Sequence, residues 1–411
     1  MQKLTVILAM ILFGLLLSCG QSDVEEGQAL FPAEPALGKP NFVIVIADDL
    51  GYHEVGRHGN PIIDTPNINR LADEGFSFSQ AFVPASMCSP SRAALYTGLY
   101  PHRNGMSRNH ARAREDISSI PHYLTQLGYR TLLAGKSHVK PFEAFPFERL
   151  ERTPEDVSQY IDDIGDAPFA MIIAQHHPHV PWLPNRSYDP ADMPLHEKLL
   201  DTPETREAMT RYYTSVSAGD EELGAYLELI EQKNLRDNTI VIFVSDHGPQ
   251  FPFAKFSNYD ASLRVPLIVH WPGTIEGGSV SDALISTTDI LPTLIELAGG
   301  APPADIDGLS LVPLIEGETD IAHDAVFGTH STMGLNIEDV KPYGIRTVRT
   351  RQYRYIRNLH PDSLPRSLIS EPRKLRGSIN YLRTFGVWVA PGLPKYWKSW
   401  LKQAAYDPVS Y

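Results

Sequence analysis

Phe42-Val43-Ile44-Val45-Ile46-Ala47 is an unbroken apolar, β-branched run, the pattern of a strand buried on both faces of a parallel sheet. It ends in Asp48-Asp49. A second such run, Thr239-Ile240-Val241-Ile242-Phe243-Val244, ends in Ser245-Asp246-His247-Gly248. Between and around them, strands are expected over Thr131 to Ala134 and Ala170 to Ala174. Helices are expected after Thr65-Pro66 through Glu74, after Pro121 up to Gly128, and over Glu204 to Asn234, proline suiting the first helical position and glycine the end. Strands alternating with helices predict an α/β fold with a large, mostly parallel sheet flanked by helices.

Beyond Asp289 the pattern changes. A helix over Ile290 to Ala298 is followed by short β-like pieces at Ala325 to Thr329, Ile345 to Thr350 and Tyr353 to Asn358. They predict a smaller C-terminal α+β subdomain, and the chain divides into a catalytic domain over 41–310 and this subdomain over 311–411.

The start of the chain reads differently. Lys3 precedes an apolar run from Leu4 to Leu17, the charged start and hydrophobic middle of a secretory signal, over 1–18, too short for a membrane span. Leu16-Leu17-Ser18-Cys19-Gly20 resembles a bacterial lipobox. That resemblance implies lipidation of Cys19, a membrane anchor, and an exported lipoprotein of the cell envelope on the periplasmic side or at the outer membrane; a plain signal peptide is the alternative. Residues 19–40, polar and rich in Gly, Pro and Glu, are expected to be a lipidated tether.

Composition narrows the partners. The 411 residues carry a net charge of −13, which argues against a nucleic-acid partner, since such a protein presents a basic surface to phosphates. An anionic substrate would need local positive charge. There are two cysteines, Cys19 and Cys88, so an exported chain without a better disulfide pair is expected to use Cys88 chemically, although a lone buried cysteine is often a small hydrophobe.

In parallel sheets ligands bind beyond the carboxyl ends of the strands, which is where Asp48-Asp49 and Asp246-His247 fall. Adjacent carboxylates raise one another's pKa, and a hard divalent cation relieves that. Asp48-Asp49 alone would read as an acidic turn; the second strand-end pair favours a metal site. Gln175-His176-His177-Pro178-His179, after an apolar strand, admits a catalytic histidine, a second metal site or a polar loop.

Cys88-Ser89-Pro90-Ser91-Arg92-Ala93-Ala94-Leu95-Tyr96-Thr97-Gly98 closely resembles the signature of the sulfatases, formylglycine-dependent members of the alkaline-phosphatase-like superfamily. Gly135-Lys136-Ser137-His138 and the two strand-end pairs stand in the order that family has. The resemblance implies that a maturation enzyme oxidises Cys88 to formylglycine, whose hydrate attacks sulfur. It implies one divalent metal, most readily calcium, held by Asp48, Asp49, Asp246, His247 and the modified Cys88. His247 stands where many relatives have asparagine, and a nitrogen donor leaves zinc or manganese open. Arg92 matches the residue that holds the hydrate, Lys136 and His138 the pair that bridges hydrate and sulfate, His179 the histidine at the sulfate and leaving group, and Lys255 the basic sulfate-binding position. As an isolated lysine, Lys255 would read as solvated surface.

Within the family, His102-Arg103-Asn104-Gly105-Met106, Gly135-Lys136-Ser137-His138-Val139, Pro146-Phe147, Phe251-Pro252, Val326-Phe327-Gly328-Thr329-His330-Ser331 and Tyr353 to Leu359 most resemble heparan N-sulfatases, or sulfamidases. A sulfated glycan or sugar is the implied substrate. The chain stops at Tyr411, shortly after Trp397, where comparable chains continue, so the C-terminal subdomain is expected to be abbreviated or cut short. The competing readings are a phosphodiesterase or phosphonate monoester hydrolase of the same superfamily, and an inactive lipoprotein that binds sulfated glycans.

Overall fold

The computed structural model describes residues 38–360 except 197, 198, 200, 252 and 334–340. The expected signal segment, Cys19, nearly all of the tether and the stretch from 361 to Tyr411 lie outside the described residues. No helix among the described residues is long and apolar enough to cross a membrane.

In chain order the principal elements are β1 (Asn41–Ala47), α1 (Pro66–Glu74), β2 (Phe76–Phe82), α2 (Cys88–Thr97), α3 (Ile120–Gln126), β3 (Arg130–Gly135) and β4 (Glu148–Leu150). Then come α4 (Pro154–Ile164), β5 (Phe169–Ala174), α5 (Pro203–Gln232), β6 (Thr239–Ser245), β7 (Leu267–His270), β8 (Ser279–Ser286), α6 (Ile290–Leu297), β9 (Val326–Met333), β10 (Lys341–Arg349) and β11 (Arg354–Asn358). Eight strands form one sheet in the order β4-β3-β5-β1-β6-β7-β2-β8, and β9 to β11 form a second of three. The large sheet is parallel except at β7, which runs antiparallel to both neighbours.

β1 lies at the centre because both its faces are apolar. Phe42, Ile44 and Ile46 enter one core with α2, α3 and α6, while Val43, Val45 and Ala47 enter the other with α1, α4 and α5. This is the period of two of a strand covered on both faces, and it yields three layers, helices over sheet over helices.

The small sheet is antiparallel, β10 lying between β9 and β11. A backbone bridge from Ala85 to Thr329 and the hydrogen bond from Thr329 N to Pro84 O tie β9 to the chain just ahead of Cys88. The small sheet is thereby fixed beside the carboxyl end of β2.

Candidate active site

Five parallel strands deliver the chemistry, each from its carboxyl end. β1 delivers Asp48 and Asp49, β6 Asp246 and His247, β3 Lys136 and His138, β5 His179, and β2 the turn into α2 with Cys88 and Arg92. Gly135, at the end of β3, has φ +92° and a Cβ there would stand 2.5 Å from Ala174 O; only glycine lets the chain turn so close to β5.

α2 is buried over its whole length and closes on Gly98 in the left-handed conformation, with φ 64°. Cys88 is its first residue, 2% exposed, where the helix dipole favours negative charge. Arg92 follows four residues later, so both side chains share one face. Arg92 Nε donates to Asp246 Oδ2 at 2.9 Å, its Nη1 to Lys136 O at 3.1 Å, and its Nη2 lies 3.6 Å from Asp48 Oδ1. One guanidinium thus joins three strand ends.

The two acidic strand ends meet. Asp49, at φ 74°, donates its backbone N–H to Asp246 Oδ1 at 3.1 Å across 197 residues. Ser245 Oγ accepts from Leu50 N at 2.9 Å, and Tyr212 donates its hydroxyl to Asp49 O at 3.1 Å. Lys136 Nζ sits 2.5 Å from Asp48 Oδ2, and Lys255 Nζ donates to both Asp49 oxygens at 2.7 and 2.8 Å. Far from being solvated surface, Lys255 is 5% exposed. Gln250 Oε1 lies 3.5 Å from the same ammonium.

The electrostatics follow from burial and opposed charge. Burial, with Asp246 and Cys88 beside it, raises Asp48 well above the ordinary carboxylate range. Burial pushes the Cys88 thiol up, but Lys255, Lys136 and His247 outweigh it and leave the thiol well below its usual value. Burial opposes a charged His247, yet Asp246, Cys88 and Asp49 hold its pKa up at about 9. Burial lowers His179 despite Asp49.

These residues fit a divalent cation. Donor atoms of Asp48, Asp49, Cys88 and His179 all lie within 4.8 Å of one another, as do those of Cys88, Asp246 and His247. Asp48 Oδ1 is buried with no hydrogen-bond partner, Arg92 Nη2 standing off at 3.6 Å, an oxygen still short of a close partner. His247 keeps Nδ1 at 2.9 Å from Gly248 O and turns Nε2 toward Cys88 Sγ at 3.3 Å. A backbone carbonyl at one ring nitrogen is the usual means of orienting a ligating imidazole.

The three histidines after β5 part company. His179 enters the site, Nε2 4.0 Å from Asp49 Oδ2 and Nδ1 2.6 Å from Val180 O. His177 feels Arg152, Arg186 and Glu221 instead, and neither His176 nor His177 joins a metal-like group among the described residues. Sequence reasoning missed His110, whose Nδ1 is 3.2 Å from His138 Nε2. Both have positive φ, 61° and 54°, and Asn109 Oδ1 accepts from Ser89 N at 3.0 Å, so the loop folds back over the start of α2. No periodicity announces such a contact.

Comparison with known proteins identifies the family. Residues 40–150 and 150–301 match the family model described as Sulfatase, and residues 248–365 match N-sulphoglucosamine sulphohydrolase, C-terminal. The chain is 34% identical over 337 residues to an ulvan-active sulfatase of Formosa agariphila, covering 78% of this chain and 66% of that protein. It is 30% identical over 376 residues to N-sulphoglucosamine sulphohydrolase of Homo sapiens, covering 78% and 73%. This chain therefore spans about two thirds to three quarters of the length of these relatives. Among solved structures, a putative sulfatase from Bacteroides thetaiotaomicron superposes with TM-score 0.66 at 22% identity, over 84% of this chain and 91% of that one. The phosphonate monoester hydrolase of Agrobacterium radiobacter does so with TM-score 0.66 at 18% identity, over 85% and 95%. The chain belongs to the sulfatase family.

Proposed function

We propose that this sulfatase-family chain hydrolyses sulfate esters or sulfamates on a sulfated glycan, with heparan-type N-sulfoglucosamine as the first substrate to test. One observation carries the reading: five strand ends bring Cys88, at a helix N-terminus, against three buried carboxylates and the cations Arg92, Lys136 and Lys255. The likeness to human N-sulphoglucosamine sulphohydrolase, including its C-terminal model, supports the sulfamate linkage. The likeness to an ulvan-active sulfatase supports the wider class of sulfated polysaccharides.

Asp48, Asp49, Asp246 and His247, with the side chain at position 88, would hold one divalent ion, calcium by preference for oxygen donors. Formylglycine made from Cys88 by a maturation enzyme would supply, as its hydrate, a hydroxyl nucleophile toward sulfur, and the cation would offset negative charge there.

The chain's own residues do the rest. Lys136 and Lys255, held on Asp48 and Asp49, would present fixed ammonium groups to the sulfate oxygens, the electrostatic support a highly charged transition state needs. Arg92, clamped on Asp246 and the Lys136 carbonyl, holds the helix start against both strand ends. His179, neutral through burial and with Nδ1 tied to Val180 O, offers the Nε2 lone pair to take a proton and return it to the leaving sugar oxygen or nitrogen. His138, backed by His110, is the second histidine at the mouth. The lipid anchor at Cys19 would place this chemistry at the cell envelope, where polysaccharide fragments arrive.

Mass spectrometry of the Cys88 peptide after co-expression with a formylglycine-generating enzyme, followed by sulfate release from defined heparan, chondroitin and ulvan fragments, tests this. Expected are the aldehyde at position 88 and release that stops in Cys88→Ala. An intact thiol under those conditions, or aryl phosphodiester turnover orders of magnitude faster than that of any sulfate, would sink it.

A further inference from the structure

The small sheet carries a basic strip on an acidic protein. From Lys341 to His360 the sequence has Lys341, Arg346, Arg349, Arg351, Arg354 and Arg357 and no Asp or Glu, in a chain of net charge −13. Three of these are neutralised by the large domain: Arg349 and Arg354 face Asp260 at 3.9 and 2.7 Å, and Arg351 pairs with Asp282.

Among the described residues, Arg346 and Arg357 are not. Arg346 donates only through Nη1, to the carbonyls of His330 and Ile345 at 3.2 and 2.9 Å, and neither arginine has an ion pair among the described residues. Yet they are direct cross-strand partners. Like charges directly opposite one another destabilise a sheet, so the pair costs stability unless an anion lies between them.

Their neighbours on the same face are aromatic. Val348 is opposite both Phe327 and Tyr355, two positions along from Arg346 and therefore on its side of the sheet. Phe327 and Tyr355 are 53% and 64% exposed. The other face is spent on packing: Thr347 is buried with Oγ1 3.4 Å from Asn258 O, and a Cβ on Gly328 would stand 2.5 Å from Leu263. On the arginines' own face Thr329, opposite Arg346, is buried with Oγ1 3.4 Å from His102 Nε2, so the exposed part runs through Arg357, Tyr355 and Phe327. One face of this sheet thus offers ring planes and two unneutralised guanidinium groups side by side.

We infer that this face is a second, non-catalytic binding surface for a sulfated saccharide, whose sulfates bridge Arg346 and Arg357 while a sugar ring lies against Tyr355 or Phe327. Guanidinium groups match sulfate oxygens in fork geometry, and aromatic faces receive the C–H side of a sugar. β9 continues from this face to the residues bridged with Ala85, just ahead of Cys88, so one long chain could be held here while another part of it reaches the active site. Such a second contact multiplies apparent affinity without changing the chemistry. The inference rests on the sulfated-glycan reading above for its choice of ligand.

Calorimetric binding of a heparin-derived decasaccharide to the Cys88→Ala protein, with and without Arg346→Gln/Arg357→Gln, tests it. Loss of the arginine pair is expected to weaken binding about tenfold or more at 0.1 M salt, while wild-type protein and the Gln pair made in the Cys88 background hydrolyse a sulfated monosaccharide within about twofold of each other. Arg346→Lys/Arg357→Lys should restore part of the affinity. Unchanged decasaccharide affinity, equal affinity for the desulfated decasaccharide, or no binding at all would overturn the surface. Its failure and that of the proposed activity separate cleanly: sulfate release with arginine-independent binding removes the surface alone, and arginine-dependent binding without sulfate release removes the activity alone.

Discussion

The two sheets handle charge in opposite ways. At the carboxyl end of the large sheet Asp48, Asp49, Asp246 and Arg92 are buried, and each meets an opposite charge supplied by another strand. On one face of the small sheet Arg346 and Arg357 lie beside exposed aromatic rings, and among the described residues no carboxylate pairs with either. Buried charge is tolerable only when opposed charges are brought to it; exposed charge can wait for a ligand. The large sheet is therefore built to hold its charges in fixed relation, and the small one to leave them available.

The comparison is tested hardest at Asp246. Replacing it with Ala leaves Arg92 buried without its 2.9 Å partner, and about 3–5 kcal/mol of stability should go with it, together with sulfate release. Denaturant unfolding of the variant measures this; a loss below about 1 kcal/mol would mean the cluster is not held together as described. A gentler contrast sets Leu294→Ala, fully buried in the core beneath α6, against Tyr355→Ala on the exposed face. The first is expected to cost about 2–4 kcal/mol and the second no more than about 0.5 kcal/mol, and equal losses would erase the distinction between the packed core on the large sheet and the exposed face of the small one.

The smallest expected effect concerns His323, whose Nε2 lies 3.0 Å from both oxygens of buried Asp289. Burial works against a charged His323, but Asp289 outweighs it and the pKa is raised. A raised folded pKa contributes stability that is complete below the unfolded value of about 6.5 and fades as pH rises through the folded one. His323→Gln should therefore cost about 1 kcal/mol near pH 6 and progressively less toward pH 9. A cost that grows with pH would refute the pairing.

What the sequence disclosed follows the same division. β1 and β6 are legible because both faces are apolar, and α1 and α3 because proline marks their first turns. β5 differs from expectation only by the addition of Phe169. β2, with Ser77, Ser79 and Gln80 inside it, and β8, polar in its first half, lack a continuous apolar signal because each is stabilised by a neighbour rather than by its own composition. α2 has no amphipathic stripe to read, since all of its residues are buried. α4 escaped although Thr153 caps it by accepting from Asp156 N at 3.1 Å.

At the site, the sequence order of Asp48, Cys88, Lys136, His179 and Asp246 could be set against a known pattern, and the structure brings all five to one end of the sheet. Why Lys255 is buried was not readable, because its burial depends on Asp49 from a strand about two hundred residues earlier. His110 was invisible for a similar reason. Its contact with His138 is made by two loop residues in left-handed conformation, and nothing local in Arg108-Asn109-His110 requires it.

The seat of Cys88 carries a consequence in time rather than in space. Its helix is buried along its length, and β6, whose following residue pair includes the His247 that touches its thiol, ends 157 residues later at Ser245. A macromolecule that modifies this side chain would find it most open before the helix docks. At roughly 5–20 residues per second of synthesis, the interval between the appearance of Cys88 and that of Ser245 is on the order of ten seconds or more. The order in which the chain is made thus opens an early period of access, and the completed fold closes it.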